Sequence, residues 1–491
     1  MKVRQQKPAE CPTRHPYGRR DEDPQSHNKV RPHKVVTWSD FVSTRLLLRN
    51  PKLGLLLALL LAGSMWFYVE RVLIPYQEAD AAAHGRPRGI LSDLYPRWIG
   101  TRELLFHHRD PYSPEVTREI QIGYYGRILD PNRPEDPKDE QRFAYPVYVV
   151  FFIAPTTTVP FPMVRVAFTW LLEIVTAVSV LLWLRVVRWR VSGTTLAILL
   201  ILTSSSYAAV QGIKLQQLSL LVGSLIAAAA ALLAAGQLFL AGVFLSLATI
   251  KPQLVVLPAA WLMLWVVSDW RNRQRLMWGF ILGMALLIGG GEYLLPGWIG
   301  RFAAGVIAYE RYTYRGSLLD VLATRSGGLI LTLLLLLSTA AVCWRLRRAP
   351  QDSAALNLVL ALVLAVTVVV VPMTAPYNQV LLLPAVLLIV CSWNNLWQRN
   401  ALSRTFCTLA LVTVFWPWLA AVVLTAASLV LPAASVQRAW AVPLWTSLGI
   451  PLVILPLLVP LLATSFRNQH QHGAKCAPNA PALLRSGGPE A

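Results

Sequence analysis

Charged residues are scarce in this chain of 491 residues, and their scarcity excludes most classes of soluble protein. Only 14% of the residues are Asp, Glu, Lys or Arg, whereas 55% are hydrophobic and the mean hydropathy is +0.48. A soluble globular domain carries about 25% charged residues. The composition therefore predicts a polytopic membrane protein. The net charge of +20 is then interpreted as cytoplasmic Lys and Arg rather than as a nucleic-acid interface.

Cysteines and glycine-rich loops are also too few for several kinds of site. The five cysteines form no CxxC pair and none lies between residues 76 and 145, so we expect neither a disulfide framework nor a zinc site. No glycine-rich loop follows a predicted strand, and a nucleotide-binding unit is not expected. The acidic triplet 21–23 lies in a polar tail without a core to position it, and we interpret it as solvated charge.

Long apolar runs are what the chain has instead. The first, 53–75, follows a basic tail (1–52) and is too long and too far from the N-terminus for a cleavable signal peptide, so we predict a membrane anchor. Further spans are predicted within 146–467, before a second tail at 468–491: 162–186, 194–210, 216–234, 237–250, 253–268, 277–295, 327–344, 354–371, 379–393, 405–430 and 441–464. The fold class predicted is all-α, with about 12 transmembrane helices.

One further apolar run, Val147–Pro160, decides the orientation of every later span. If it crosses the membrane, the arginine clusters at 185–190, 271–275 and 345–348 face outward. If it only dips into the membrane, these clusters face the cytoplasm, as the positive-inside rule favours. We adopt the second arrangement, which predicts that both termini are cytoplasmic and that most unusual polar motifs are external.

The segment 76–145 is the large polar region on the predicted external side. Its apolar residues recur at helical spacing, on one face or on two shorter faces broken near Gly100: Leu94, Trp98, Leu104, Leu105 and Tyr112. This pattern predicts amphipathic helices on a membrane surface.

Two ionisable residues stand out as candidates for chemistry. Asp93 is either a catalytic carboxylate or an N-cap of the following helix, since Asp caps well. Lys251 follows a run that covers about 21 Å at about 1.5 Å per residue, less than a hydrocarbon core of about 30 Å. It either faces a water-filled recess or snorkels to the interface, and Pro252 would end the helix there.

Other polar residues form weaker candidates. Gln216-Gln217 and Tyr377-Asn378-Gln379 each open a predicted helix, where the backbone N–H groups favour an anion or merely mark the headgroup level. Arginines and tyrosines in 296–325 suit a lipid-linked phosphate and a sugar, or an interfacial belt. Four further residues are weaker still: His107, His108, Glu173 and Glu292.

Taken in order, these motifs resemble glycosyltransferase family 87, a group of bacterial membrane enzymes of the GT-C fold that includes relatives of the polyprenyl-phosphomannose-dependent mannosyltransferases. The resemblance extends over about residues 53 to 395, and its matching positions are Asp93, Gly100, Leu104, Leu105, Asp110, Pro111, Tyr112, Phe143, Tyr145, Pro146, Lys251, Pro252 and Gln253. Val147 stands where the family often has a second proline, and Tyr377-Asn378 where some relatives carry an acid or a histidine.

The resemblance implies an enzyme of the bacterial cell membrane that moves a hexose such as mannose from a polyprenyl-phosphate carrier to an external lipid or glycan acceptor. Asp93 would be the catalytic carboxylate. The candidates for binding the donor phosphate are Lys251, Gln253, Arg97, Gln217, Arg311 and Arg315, and those for the acceptor or sugar are Tyr95, Tyr112, Tyr145, Tyr377 and Asn378. No cofactor is expected beyond this lipid-linked co-substrate, and metal dependence is left open. A transporter or flippase of lipid-linked sugars is the alternative, although the inverted repeats typical of transporters are not visible.

Overall fold

The computed structural model describes residues 51–85, 87, 89–130, 132–310, 316–372 and 375–475, and every regular element within these ranges is helical. The α-helices are α1 (Pro51–Tyr68), α2 (Ile74–Ala83), α3 (Tyr95–His107), α4 (Pro114–Tyr125), α5 (Val150–Ile153), α6 (Phe161–Val186), α7 (Gly193–Ser204), α8 (Tyr207–Lys214), α9 (Leu218–Ala234), α10 (Leu238–Leu247), α11 (Val256–Val267), α12 (Trp270–Leu294), α13 (Trp298–Glu310), α14 (Leu318–Leu322), α15 (Arg325–Leu346), α16 (Ala354–Val370), α17 (Leu383–Cys391), α18 (Trp393–Arg399), α19 (Ala401–Val430), α20 (Ala433–Gln437), α21 (Val442–Ser447) and α22 (Ile450–Lys475). The all-α class is thus confirmed for the part of the chain that is described.

Six helical runs among the described residues are long and apolar enough to cross a bilayer: Pro51–Ala83, Phe161–Val186, Trp270–Leu294, Arg325–Leu346, Ala401–Val430 and Ala433–Ser465. Two bent pairs raise the number to eight if each pair is one span: α7 with α8, bent by 55°, and Pro376–Cys391 with α18, bent by 66°. Reaching the predicted twelve would also require four helices of 10–17 residues, namely Leu218–Ala234, Leu238–Ile250, Val256–Val267 and Ala354–Val370. The count of twelve therefore stays a prediction.

Burial separates the apolar helices into an inner and an outer set. Val359 and Leu364 of α16 are fully buried, whereas Leu329 and Leu333 of α15 are 69% and 57% exposed. An apolar helix that leaves its leucines uncovered is suited to contact with lipid, because the bilayer, unlike water, does not penalise apolar surface. Thus α16 belongs to the interior of the helical bundle, and α15 lies at its periphery.

Helices α10 and α12 cross at a seam of glycines. A Cβ added at Gly242 would lie 2.1 Å from the carbonyl oxygen of Leu276, and one at Gly279 would lie 2.0 Å from that of Phe239. Only glycine permits such a close approach of two backbones. The seam therefore holds α10 close against α12. Lys251 follows the end of α10 after one 3₁₀ turn, Ala248–Ile250.

The apolar run Val147–Pro160, whose place decides the orientation of the later spans, forms three short pieces rather than one helix. These are a 3₁₀ turn at Val147–Val149, helix α5, and a second 3₁₀ turn at Ala154–Thr156. At about 1.5–2.0 Å per residue, a segment of this length covers about half of a hydrocarbon core of about 30 Å. Its end is tied to α3, because the indole N–H of Trp98 donates a 3.1 Å hydrogen bond to the carbonyl of Thr156. These observations support a segment that only dips into the membrane.

The segment 84–146, which follows α2, contains two packed helices, α3 and α4, and a long loop at 126–146. Helix α3 continues through Gly100, so the break considered at that position does not occur. Gly100 instead makes room for a ring, since a Cβ there would lie 2.3 Å from Phe143. Leu94, Trp98 and Ile120 of this segment are buried. Their packing holds the segment against the helical bundle.

Candidate active site

A cavity of about 900 Å³ lies between the segment 84–146, one side of α13 and the ends of α9, α10 and α16. The predicted site residues that line it are Asp93, Arg97, Tyr145, Gln217, Lys251, Gln253, Tyr377 and Asn378. Apolar side chains of α13, among them Phe302 and Val306, form another part of its wall. The cavity thus combines a polar, charged portion with an apolar one.

Asp93 precedes α3 and is half-buried at the cavity wall. Its backbone N–H donates a 2.8 Å hydrogen bond to the carbonyl of Leu215, and its carboxylate accepts a hydrogen bond from the side-chain amide of Gln217. The N-cap position of α3 is Leu94, and no side chain caps this helix. The contacts of Asp93 are therefore those of a cavity residue, and they do not support the helix-cap alternative.

The environment of Asp93 makes its carboxylate more basic than an exposed one. Burial raises the pKa of this carboxyl group above its ordinary value of 3.8, and the charges of Arg97 and Lys251 and the hydrogen bond from Gln217 act in the opposite direction. A carboxylate whose pKa is raised is a better proton acceptor than an exposed one. Asp93 is therefore suited to act as a general base.

Lys251 lies between two 3₁₀ turns, Ala248–Ile250 and Pro252–Leu254, and its side chain points inward. Its Nζ atom donates hydrogen bonds to Gln217 Oε1 at 3.1 Å and to Ser219 Oγ at 2.6 Å, and it lies 4.8 Å from the ring centroid of Tyr377. The side chain is 6% exposed. These contacts describe a lysine held in a recess, not one that extends to the membrane interface.

Gln217 connects the two charged residues, since its amide nitrogen donates to Asp93 and its amide oxygen accepts from Lys251. It stands at the N-cap position of α9, without capping the helix by its side chain. The network continues from Lys251 to Ser219, whose hydroxyl donates to Asn378 Oδ1 at 2.9 Å. Asp93 and Lys251 are thus held in one hydrogen-bonded chain.

Arg97 adds a second cation to the cavity. Its Nη1 atom donates a 2.6 Å hydrogen bond to the backbone carbonyl of Asp93, and its guanidinium carbon lies 4.5 Å from the ring centroid of Tyr145. The Nε–H of Arg97 is buried and has no hydrogen-bond partner among the described residues. A buried donor without a partner is costly unless a ligand or water accepts from it.

The remaining candidates separate into three groups. Tyr95 and Tyr112 do not line the cavity: the Tyr95 ring packs edge-on against Phe161, and the Tyr112 hydroxyl donates a 2.6 Å hydrogen bond to the carbonyl of Tyr145. Gln216 and Gln379 are buried and bond to backbone carbonyls away from the cavity. Arg311 and Arg315 lie outside the described residues.

The weaker candidates are not at the cavity either. The Nδ1 atom of His107 is 3.0 Å from a carboxylate oxygen of the buried Glu103, near the end of α3. Glu292 accepts a 2.7 Å hydrogen bond from the backbone N–H of Gly297. Within the part of the chain that is described, no three His, Cys, Asp or Glu side chains converge as metal ligands would. The structure therefore offers no preassembled metal site there.

Three polar residues of the cavity were missed by the sequence analysis, namely Asp139, Gln141 and Arg142. They belong to the loop at 126–146 and precede the Phe143–Pro146 motif directly. Their proximity to that motif was the available signal, but acids and amides are common in polar loops, and only the fold brings these residues to the cavity.

The apolar helices and the polar cavity among them define a multi-pass membrane protein with a site suited to a substrate that is partly polar and partly apolar. The family model for glycosyltransferase family 87 matches residues 143–372. This part of the chain therefore belongs to that family, and the protein is a membrane glycosyltransferase. The match includes Tyr145, Gln217 and Lys251, whereas Asp93 and Tyr377 lie outside it. No curated protein and no solved structure matches the chain.

Proposed function

We propose that the protein transfers a hexose, mannose in the first instance, from a polyprenyl-phosphate carrier to a lipid or glycan acceptor outside the cytoplasm. The proposed location is the bacterial cell membrane, with both termini cytoplasmic and the cavity open to the external side. The observation that carries this proposal is the hydrogen-bonded connection of Asp93, Gln217 and Lys251 at one cavity.

The proposed reaction is a direct displacement at the anomeric carbon of the sugar. The acceptor oxygen forms the new bond to this carbon, the bond to the phosphate oxygen breaks, and the phosphate leaves with the electron pair. Asp93 takes the proton of the acceptor hydroxyl, which a base within hydrogen-bond reach does most effectively as the new bond forms. A single displacement of this kind inverts the configuration at the anomeric carbon.

The cations of the cavity are proposed to hold the donor phosphate. Lys251 supplies a compact ammonium group, and Arg97 supplies a planar guanidinium whose Nε–H still lacks a partner among the described residues. Both stabilise negative charge on the departing phosphate, so a general acid is less necessary. Gln217 and Gln253 are proposed as further hydrogen-bond donors to the phosphate. Arg311 and Arg315 are proposed for the same role on the basis of the sequence alone.

The sugar and the acceptor are proposed to contact the tyrosine and amide side chains of the cavity, Tyr145, Tyr377 and Asn378. Tyr112 is proposed to act indirectly, by holding the backbone of Tyr145, and Tyr95 by packing the start of α3 against Phe161. The apolar wall formed by α13 suits the first isoprene units of the carrier, which carry no hydrogen-bonding groups.

The proposal is tested by incubating the purified protein with radiolabelled polyprenyl-phosphate mannose and a bacterial membrane extract. We expect label to move to a lipid or glycan product, and polyprenyl-phosphate glucose or galactose to serve less well. Transfer from a nucleotide sugar in the absence of any lipid carrier would contradict the proposed donor.

A further inference from the structure

A second cavity, of about 230 Å³, lies among α7, α8, α17, α19 and α22, and it shares no lining residue with the candidate active site. Its wall extends along α17 from Leu383 to Val390 and along α19 from Ala410 to Trp418. At about 1.5 Å per residue, each of these stretches rises by about 11–12 Å. The cavity is therefore elongated along the helix axes, a shape that suits one narrow chain.

This second cavity lies at membrane depth and can be reached from the bilayer. Helix α19 is long and apolar enough to cross a membrane, and the residues of α19 that line the cavity belong to the middle of that helix. Leu411 of the wall is 45% exposed, and α7 and α19, which both line the cavity, do not pack closely against each other. The chain of a membrane lipid can therefore enter between them.

Two polar groups in this mainly apolar wall lack a partner within the part of the chain that is described. Tyr207 is 4% exposed, and its hydroxyl group makes no hydrogen bond there. Gln379 is 8% exposed; its Nε2 atom donates a 2.9 Å hydrogen bond to the carbonyl of Ser447, and its Oε1 atom accepts none. A buried polar group without a hydrogen bond is costly, so a ligand that pairs with both groups would be favoured.

Both polar groups lie toward the same end of the cavity. Tyr207 is the first residue of α8, and Gln379 belongs to the 3₁₀ segment Pro376–Leu382, against which α8 packs. The indole N–H of Trp418 donates a 3.2 Å hydrogen bond to the hydroxyl of Ser205, which places the Trp418 end of the α19 wall beside the start of α8. The cavity thus has one end with hydrogen-bonding groups and an apolar remainder.

The chemistry of the two groups matches a hydroxyl. The phenolic O–H of Tyr207 is a donor and the amide oxygen of Gln379 is an acceptor only, so one hydroxyl can accept from the first and donate to the second. An ether or carbonyl oxygen only accepts, and it would leave Gln379 Oε1 unpaired. No charged side chain of the described residues lines this cavity, so a phosphate or carboxylate would be buried there without a counter-ion.

We propose that the second cavity binds a single-chain lipid alcohol, with its hydroxyl between Tyr207 and Gln379 and its apolar chain along α17 and α19. The chain is isoprenoid or linear, since both fit the apolar wall. This inference does not depend on the proposed function, because it concerns a separate cavity. The two cavities are nevertheless neighbours: Gln379 follows Asn378, which lines the candidate active site, so the bound alcohol lies behind that part of the active-site wall.

The test is photolabelling of the full-length protein in phosphatidylcholine nanodiscs with a diazirine analogue of farnesol, mapped by mass spectrometry. We expect saturable labelling of α7, α17 and α19 that unlabelled farnesol or dodecanol displaces; the better competitor identifies the chain as isoprenoid or linear. Farnesyl methyl ether, which cannot donate a hydrogen bond, and farnesyl phosphate, which is charged, should each compete at least about threefold less well for these sites.

Three variants separate recognition from folding. Tyr207→Phe removes only a hydroxyl group without a partner among the described residues, so it should fold normally and bind the better alcohol about threefold to tenfold more weakly. Tyr293→Phe removes the same group from a side chain that is 88% exposed, and it should leave labelling unchanged. Val386→Phe places a larger side chain in the wall and should reduce labelling most strongly. The melting temperature reports on the folding of each variant.

Three outcomes would overturn the inference. Labelling that does not saturate, or that neither alcohol displaces, would mean that the cavity holds at most a water molecule between Tyr207 and Gln379. Equal competition by farnesol and its methyl ether would refute recognition of a hydroxyl donor. Unchanged affinity in Tyr207→Phe would remove Tyr207 from the site. Failure of the proposed function is distinguishable, because it would appear as absent sugar transfer, which this labelling does not measure.

Discussion

Replacing Asp93 by asparagine tests the proposed base with little change of shape. The amide oxygen of asparagine can still accept the hydrogen bond from Gln217, and α3 loses no cap, because Asp93 is not its N-cap residue. The amide cannot accept the proton of the acceptor hydroxyl. General-base catalysis contributes roughly 10²–10⁴-fold, so we expect the turnover number of Asp93→Asn to fall by that factor. At about 1.4 kcal/mol per factor of ten, the barrier rises by about 3–5 kcal/mol.

The assay follows transfer of labelled mannose from polyprenyl-phosphate mannose at saturating donor, and it measures binding of farnesyl phosphate separately. Donor binding should persist in Asp93→Asn, since Lys251 keeps its hydrogen bonds to Gln217 and Ser219. The matched control is Glu115→Gln, which removes a carboxylate from an exposed site on α4 and should leave turnover unchanged.

The same carboxylate predicts the pH dependence of turnover. A general base acts when it is deprotonated, so activity should be present above the pKa of Asp93 and should fall as pH decreases through it. Because burial raises this pKa, the acid limb should lie above the ordinary value of 3.8. Asp93→Asn should lack this limb. A folded Asp93→Asn enzyme with wild-type turnover would refute the assignment. Loss of donor binding together with turnover would show that Asp93 maintains the cavity instead.

Three further predictions concern the donor, the orientation and the helix seam. Lys251→Gln should weaken binding of farnesyl phosphate by about 10–150-fold, as loss of a charge-assisted hydrogen bond implies, and unchanged affinity would remove Lys251 from the phosphate site. In a variant without native cysteines, Ser326→Cys should react with an impermeant thiol reagent added outside intact cells, and Asn272→Cys only after the membrane is opened; the reverse pattern would mean that residues 147–160 cross the membrane. Gly279→Ala should destabilise the protein in detergent by about 1–3 kcal/mol, because its Cβ would overlap the carbonyl of Phe239. Gly289→Ala, where a Cβ meets nothing within 4 Å, is its control and should not lower the melting temperature.

The class of protein and several of the cavity residues follow from the sequence because of the apolar background. In a chain that is 55% hydrophobic, an ionisable or amide side chain next to a predicted span is unusual, and such residues seldom persist at membrane depth without a partner or a function. Lys251 and Gln217 were identified in this way. Asp93 was identified from its position after the anchor and from the order of the motifs that follow it.

The contacts among these residues were decided only by the tertiary structure. Gln217 bonds to Asp93 across 124 residues of chain and to Lys251 across 34, and no local pattern encodes pairings at such separations. The rotation of α3 is another example: contact of Gly100 with Phe143 helps to set which side of the helix faces the cavity, so Arg97 lines it and Tyr95 does not. Asp139 is a third. Its loop has no periodicity to read, and its carboxylate reaches the cavity because Gln141 and Tyr125 hold it there.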